Sequence, residues 1–246
     1  MKRFTPDTPA SGPPVGSTLT ELLGRIWIFQ GLAEPERACL AGLARVRRYR
    51  ARESVVEKGD RARELFVLLR GRAKVLTRGA EGTDTALNVM GPGQVFGEVA
   101  LLDGQPRSAT VIALEECEVA VIDLQAFRDF LAASPSVAFE LLGVLARRVR
   151  ELSARLEDRA FLDVPARLAK QLLWLAENHG ERTAVGAQIE VRLSQQELGE
   201  LIGATRESVN KHLSEWTRNG VLKQVRDRIE LLDLDALRAA ASAPAR

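Results

Sequence analysis

The stretch FGEVALLDGQPRSAT, residues 96–110, places one glutamate and one arginine between strongly apolar flanks. An arginine guanidinium presents planar donors that match two phosphate oxygens, and an ionised carboxylate accepts hydrogen bonds from a sugar hydroxyl. A serine hydroxyl and backbone N–H groups can complete the cradle. The stretch therefore predicts a pocket that binds both hydroxyl and phosphate groups. Its candidate residues are Gly97, Glu98, Val99, Arg107, Ser108 and Ala109.

A simpler explanation of the same residues is a salt bridge between Glu98 and Arg107 that braces a tight loop. Glycine, glutamate and arginine are common in turns, so the spacing by itself leaves both explanations open. The pocket is the stronger hypothesis, because the segments that follow it in the chain reduce the weight of the loop explanation.

The chain has 246 residues, of which 46% are hydrophobic, and a formal net charge of +2. These values suit two ordinary globular domains. No apolar run approaches the roughly twenty residues of a membrane-spanning helix, and the N-terminus lacks the apolar core of a signal peptide. The two cysteines are too few for a metal cluster or a disulfide framework. We therefore expect a cytoplasmic protein with no membrane partner and no metal.

Residues 1–20 are rich in proline, threonine, serine and glycine and are expected to form a flexible tail. Residues 21–134 begin with short helices, after which short apolar runs alternate with glycine and proline turn signals. Such runs predict an antiparallel, jelly-roll-like β-roll, in a chain whose fold class is α+β. The predicted strands lie at 55–56, 65–69, 73–76, 86–89, 108–112 and 117–122.

Residues 135–162 are predicted to form one long helix, with Ser134 as its cap and Pro135 in its first turn. A row of apolar residues recurs along it at alternating spacings of three and four, the a/d pattern of a coiled-coil seam. The row predicts contact with the same helix of a second chain in a homodimer. The alternative is a helix packed across the roll of its own chain. The row consists of Leu142, Leu145, Val149, Leu152 and Leu156.

Residues 163–246 form a second predicted domain, which has the sequence pattern of a helix-turn-helix. Ser194, followed three positions later by Glu197, is a capping box that opens one helix. Gly203 supplies the turn, and Thr205 caps a second helix. The second helix turns its apolar residues toward the core and its polar residues outward. Its apolar residues at helical spacing are Val209, Leu213 and Trp216.

The outward side chains of the second helix suit the edges of base pairs in a major groove. Arg206 matches the O6 and N7 acceptors of guanine, Glu207 accepts from the cytosine amino group, and Lys211 reaches a guanine or a phosphate. Residues 221–231 predict a two-stranded wing whose basic residues, Arg228 among them, hold phosphates. The predicted contacts to double-stranded DNA are Ser194, Gln195, Thr205, Arg206, Glu207, Ser208, Asn210, Lys211, Lys223 and Arg226.

A pocket motif, a seam helix and a helix-turn-helix in this order resemble the Crp/Fnr family of bacterial transcription regulators, closest to its cyclic-AMP receptor branch. The stretch at 96–110 is similar to the family's phosphate-binding cassette, and ATRESVNK at 204–211 to its recognition helix. FLDV at 161–164 is similar to its hinge. The resemblance implies a cyclic-nucleotide-binding β-roll, a dimerisation helix and a winged helix-turn-helix. It also implies a homodimer that binds operator DNA and contacts RNA polymerase.

The resemblance further implies a role for each pocket residue. Glu98 would take the ribose 2′-hydroxyl, Arg107 and Ser108 the cyclic phosphate, and Arg148 on the long helix would approach the ligand. The expected effector is a cyclic nucleotide, with cyclic AMP as the first candidate. No iron–sulfur cluster or haem is expected, because the chain lacks an N-terminal cysteine cluster and has no histidine in the roll.

The chain departs from the family pattern on the long helix. A Thr-Ser pair that bonds the adenine amino group in the cyclic-AMP receptor branch is Leu152-Ser153 here. Leu152 cannot form that bond, which removes roughly 0.5–1.5 kcal/mol, whereas Ser153 lies beside the seam and can still reach a partner chain's pocket. Base selectivity should therefore be weaker. Cyclic GMP is the second candidate, since Ser108 can bond a guanine amino group, and a regulator without ligand is the third.

A protein of a different class, an enzyme or its cyclic-nucleotide-binding regulatory subunit, would need residues for catalysis. The sequence contains no Walker loop, HExxH, GxSxG or kinase catalytic motif. The residues that follow the roll are accounted for by a DNA reader. We therefore expect a transcription regulator without enzymatic activity.

Overall fold

A computed structural model describes residues 19–26, 29–78, 84–225 and 228–242 of the chain. The predicted flexible tail falls outside these ranges except for Leu19 and Thr20, which already belong to the first helix. Arg226 of the predicted wing also lies outside the described residues.

Within the described part of the N-terminal half, eight short strands form two four-stranded sheets. The first sheet has the strand order β1-β8-β3-β6 and the second the order β2-β7-β4-β5, and all neighbouring strands are antiparallel. The antiparallel roll is thus confirmed, with β1 and β6 as two strands that were not predicted. The strands are β1 (Ala44–Tyr49), β2 (Ser54–Val56), β3 (Glu64–Arg70), β4 (Ala73–Arg78), β5 (Asp84–Met90), β6 (Val95–Phe96), β7 (Thr110–Ala113) and β8 (Cys117–Asp123).

The central strand β3 shows why the roll has two apolar cores. Its residues 65–69 are all buried, and their side chains alternate between the two faces of the sheet. Leu65 and Val67 pack against the flanking helices, whereas Phe66 and Leu68 pack inside the roll. The helices of this half are α1 (Leu19–Gly24), α2 (Glu34–Leu43), α3 (Val99–Asp103) and α4 (Leu124–Ala133).

The long helix α5 (Pro135–Phe161) follows the roll. Its first turns pack on the roll through Val137 and Leu141. Ser134 occupies the N-cap position of this helix as predicted, but its hydroxyl makes no capping hydrogen bond and donates to the Glu36 carboxylate at 2.9 Å instead. Further along, four of the five predicted seam residues are more than half exposed, and Leu145 is half-buried. Another face of α5 contacts the roll further along, through Arg148 and Arg155, so both predicted kinds of contact are compatible with this helix. Contact of the exposed row with a second chain stays a prediction.

The C-terminal half encloses a separate core between its helices and a four-stranded sheet of order β11-β12-β10-β9. The predicted two-stranded wing is the antiparallel pair β11 and β12. The helices are α6 (Val164–His179), α7 (Gln195–Ile202), α8 (Arg206–Arg218) and α9 (Leu234–Ala241). The strands are β9 (Gly180–Arg182), β10 (Ala187–Ile189), β11 (Leu222–Val225) and β12 (Arg228–Leu231).

The roll and the helix-turn-helix are in direct contact. Ala86 and Val89 of β5 belong to the core of the C-terminal half. Lys74 on β4 donates to the Glu197 carboxylate at 2.6 Å, and this partly buried ion pair joins the roll to the first helix of the helix-turn-helix. Strands that line the interior of the roll are therefore mechanically connected to α7.

His179 lies at this boundary, at the C-terminal end of α6. It is buried, with its ring next to Gly91 of the roll and in edge contact with Trp174. Burial lowers the pKa of the imidazole to about 4, and the positive charge of Arg72 adds to the effect. The folded chain therefore holds His179 in its neutral form at neutral pH.

Acidification is expected to weaken the fold through His179. The unfolded chain takes up a proton on this side chain below its ordinary pKa near 6.5, whereas the folded chain does so only near pH 4. The free energy of unfolding should therefore fall by up to about 3 kcal/mol as the pH drops through this window. Urea denaturation at several pH values measures the effect. The His179→Gln variant should show a shallower decline, and an equal slope in both proteins would exclude His179 as its source.

Within the described ranges, no single helix is both long and apolar enough to cross a membrane. Taken together, α4 and α5 reach the length and apolar composition of a membrane span, but the two helices are bent by 115° relative to each other. The same ranges contain no group of three or more His, Cys, Asp or Glu side chains placed to hold a metal ion.

Candidate functional site

A cavity of about 230 Å³ lies between the interior of the roll and α5. A single water molecule occupies about 30 Å³ of liquid, so the cavity has room for several water molecules or part of a small ligand. Strands of the roll supply an apolar floor, and α5 supplies the opposite wall. The floor residues are Val56, Val75, Met90, Phe96 and Val111, and those of α5 are Arg148, Glu151, Leu152 and Arg155.

Arg107 is buried at the wall of this cavity. Its Nη1 donates to the carbonyl of Gly97 at 3.1 Å, and its Nη2 donates to the carbonyl of Glu64. The guanidinium carbon lies 5.2 Å from the centre of the Phe66 ring. Burial lowers the pKa of Arg107, and the nearby carboxylates of Glu64, Glu98 and Asp60 oppose that shift. The arginine is thus fixed by carbonyls and an aromatic ring, with guanidinium N–H groups left over for an anion.

Glu98 is fully buried and pairs with α5. Its Oε1 accepts from Nη1 of Arg148, which also donates to the carbonyl of Val95. The alternative explanation, a Glu98–Arg107 salt bridge, is therefore wrong. Among the described residues the second oxygen, Oε2, has no hydrogen-bond partner. A buried carboxylate oxygen without a partner is costly, and a ligand hydroxyl would satisfy it.

The charges around the cavity favour an anion. Among the described residues, three arginines and two glutamates line it, which leaves one net positive charge in a partly desolvated space. Electrostatic interactions are stronger there than in water. A ligand that carries one negative charge and at least one hydroxyl suits this arrangement.

Eight of the nine predicted ligand residues line the cavity, and Ser153 does not. Ser153 is exposed, so its reach into a partner chain's pocket stays a prediction. Asn88, Glu151 and Arg155 also line the cavity and were missed. Helical spacing from Arg148 would have found two of them, because positions three and seven further along a helix share a face.

Gly97 lets the backbone approach Arg107. It adopts a φ of +82°, and an added Cβ would lie 2.5 Å from Arg107 Nη1. We expect Gly97→Ala to displace the guanidinium and weaken binding of a cyclic nucleotide by about tenfold or more, as isothermal calorimetry would measure. Gly93→Ala is the matched control, since it has a φ of +87° but nothing within 4 Å of its added Cβ. Equal losses in the two variants would mean that backbone strain, and not the position of Arg107, sets the affinity.

The helix-turn-helix has the caps and the turn that the sequence predicts. The Ser194 hydroxyl accepts from the Glu197 N–H at 3.2 Å, and the Glu197 carboxylate accepts from the Ser194 N–H at 2.9 Å. Gly203 ends α7 with a φ of +68°. Thr205 accepts from the Ser208 N–H at 3.2 Å and so caps α8. These contacts hold the two helices in a defined geometry.

The second helix, α8, turns the predicted side chains outward. Val209 and Leu213 are fully buried beneath it. The Gln195 amide donates to the side chain of Asn210 at 3.1 Å and bridges α7 to α8, while Arg228 is ion-paired with Glu190 at 3.1 Å. The exposed predicted DNA contacts are Ser194, Thr205, Arg206, Glu207, Asn210, Lys211 and Lys223, and the half-buried ones are Gln195 and Ser208.

Comparisons with known proteins agree with both halves of this structure. The cyclic nucleotide-binding domain family matches residues 46–134, and the Crp-like helix-turn-helix domain family matches residues 166–240. A CRP-like cAMP-activated global transcriptional regulator of Mycobacterium tuberculosis is 33% identical over 205 residues, which cover 83% of this chain and 92% of the relative. The cAMP-activated global transcriptional regulator CRP of Pasteurella multocida is 32% identical over 169 residues, which cover 68% and 80%.

A solved structure shows the same architecture. A CRP-family transcriptional regulator from Thermus thermophilus is 29% identical and has a TM-score of 0.69. The match covers 80% of this chain and 97% of that one. The chain belongs to the Crp/Fnr family: it is a DNA-binding transcription regulator with a cyclic nucleotide-binding domain, and not an enzyme.

Proposed function

We propose that the protein is a homodimeric regulator in which a cyclic nucleotide, bound between the roll and α5, controls the binding of operator DNA. The observation that carries this proposal is the position of Leu152. This side chain lines the cavity and is also 54% exposed on the apolar row of α5. One residue therefore touches both the ligand site and the predicted dimer contact, so that occupancy of the cavity changes the seam.

The proposed dimer explains how the seam would act on DNA. Two chains joined along α5 present two recognition helices related by a two-fold axis. Such helices enter successive major grooves of a pseudo-palindromic operator when they lie about 34 Å apart. A ligand that binds better to the chain arrangement with this separation raises the affinity for DNA by its differential affinity for that arrangement.

Cyclic AMP is the first candidate effector, and RNA polymerase is the proposed partner at the promoter. Both relatives described above are named as cAMP-activated. The cavity supports a cyclic nucleotide on chemical grounds, since Arg107 suits the phosphate and the unpartnered Oε2 of Glu98 suits the ribose hydroxyl. The exposed residues of the helix-turn-helix and wing, Ser194 and Lys223 among them, would contact the DNA phosphates and so position the protein on the duplex.

Arg206 provides the test of the DNA-reading assignment. It is exposed at the start of α8, and we expect Arg206→Ala to relax base preference at one position of each half-site by about five- to a hundredfold. Selection of operators from a random library, followed by fluorescence anisotropy, measures the change. Arg218→Ala, at the other end of the same helix, is the control and should leave base preference intact. Unchanged preference in Arg206→Ala would refute the assignment.

A further inference from the structure

A third arginine that lines the cavity, Arg155, lies on α5 beyond Arg148. Glu98 is tied to Arg148, and Arg155 follows Arg148 by seven residues on α5. Seven residues make about two helical turns, so Arg155 lies on the same face about 10 Å further along the helix. Both arginines line the cavity. If a nucleotide whose ribose meets Glu98 lies along α5, its base meets Arg155.

The Arg155 side chain is held in place by strand β5. Its Nη1 donates to the carbonyl of Leu87, and its Nη2 donates to Oδ1 of Asn88 at 3.1 Å. Leu87 and Asn88 line the cavity as well. A guanidinium has five N–H donors, so three remain after these two bonds. A donor group that is fixed before the ligand arrives loses little entropy on binding.

Chemistry decides which base this group can read. Guanine offers two acceptors on one edge, O6 and N7, which match the paired donors of an arginine. Adenine offers N7 beside an amino group, and that amino group is itself a donor. Leu152, one turn before Arg155, has no hydrogen-bonding group to favour adenine. The remaining N–H groups of Arg155 thus offer this wall of the cavity the paired donors that guanine requires, although the Glu151 carboxylate lines the same wall.

We infer that Arg155 is a specificity-determining residue that bonds the O6 and N7 edge of guanine, so that the pocket binds cyclic GMP as well as cyclic AMP. This inference rests on the proposed function and goes beyond it by naming the residue that reads the base. Asn88 acts on the ligand through Arg155 and is a positioning residue.

Calorimetry of the full chain with cyclic GMP and with cyclic AMP tests the inference. Arg155→Met keeps the length of the side chain and removes its donors. We expect it to lower the affinity for cyclic GMP by about tenfold to a hundredfold and the affinity for cyclic AMP by less than about threefold. Arg150→Met is the matched control, because Arg150 is exposed on the same helix and does not line the cavity. Asn88→Ala should give a smaller loss in the same direction.

The ratio of the two affinities separates a base contact from a structural role. Arg155 also joins α5 to β5 by hydrogen bonds, and loss of those bonds alone would lower the affinity for both nucleotides equally. An equal loss, no loss, or a wild-type protein that binds cyclic AMP but not cyclic GMP would each overturn the inference. Failure of the wild-type protein to bind either nucleotide would instead overturn the proposed function. If Arg155→Met does not fold, Arg155→Lys keeps the charge, removes the paired donors and should show the same change in ratio.

Discussion

Replacing Arg107 with alanine is expected to lower the affinity for cyclic AMP and cyclic GMP by at least about a hundredfold. The guanidinium is the one lining arginine within the 96–110 stretch, and it is already oriented by the carbonyls of Gly97 and Glu64. A phosphate would accept two charge-assisted hydrogen bonds from it, and each such bond contributes about 1.5–3 kcal/mol. Both nucleotides share the phosphate, so both should be lost together. Isothermal calorimetry measures the two affinities.

Two further variants separate loss of the contact from loss of the fold. Arg70→Ala removes an exposed arginine from β3 of the same roll and should bind both nucleotides as the wild type does. Arg107→Lys keeps the charge but not the paired donors and should fall between the wild type and Arg107→Ala. Thermal unfolding reports whether each variant is folded. A folded Arg107→Ala protein that retains affinity within about threefold of the wild type would contradict the assignment of the phosphate site.

Replacing Leu156 with aspartate is expected to dissociate the proposed dimer and with it abolish tight operator binding. Leu156 is 67% exposed in the single chain and belongs to the apolar row of α5. In a two-fold seam the change buries two unpaired carboxylates, which should raise the dimer dissociation constant by at least about a hundredfold. A monomer reads only one half-site. Sedimentation equilibrium measures the dissociation constant, and anisotropy with a two-site operator measures DNA binding.

Ala154→Asp is the matched control for this change. Ala154 is exposed on the same helix and lies two residues from both Leu152 and Leu156, so it points about 200° away from the seam. It should leave the dimer and its DNA affinity as in the wild type. Equal dissociation constants for Leu156→Asp and the wild type would show that α5 is not the dimer contact.

The fold could be predicted from the sequence where local patterns carry it. The strand 65–69, the αL glycine at Gly203 and the Ser194–Glu197 capping box are each determined by a few neighbouring residues, and the structure contains all three. The pocket stretch was found because arginine and glutamate among apolar residues need partners. The disfavoured alternative, a pairing of Glu98 with Arg107, is absent, since Glu98 pairs with Arg148, which is fifty residues away in sequence.

Long-range contacts explain what the sequence could not show. Ser134 is a residue type that commonly caps helices, yet its hydroxyl donates to Glu36 on α2. This contact forms because α2 packs against α4, which ends just before Ser134. Three of the six residues of strand β1 are arginines and its one buried residue is Tyr49, so the strand lacked an apolar signal. Arg155 and Asn88 enter the cavity only because α5 crosses β5 there. Such pairings depend on tertiary packing and not on the local pattern.

Control of DNA binding by the cavity is tested most directly by the affinity of the wild-type protein for its selected operator with and without cyclic nucleotide. Fluorescence anisotropy at fixed salt gives both values. Saturation with cyclic AMP or cyclic GMP should tighten operator binding by at least about tenfold, in the range of ordinary allosteric coupling. The same affinity with and without both nucleotides would contradict the claim that the cavity between the roll and α5 controls the DNA-binding helices.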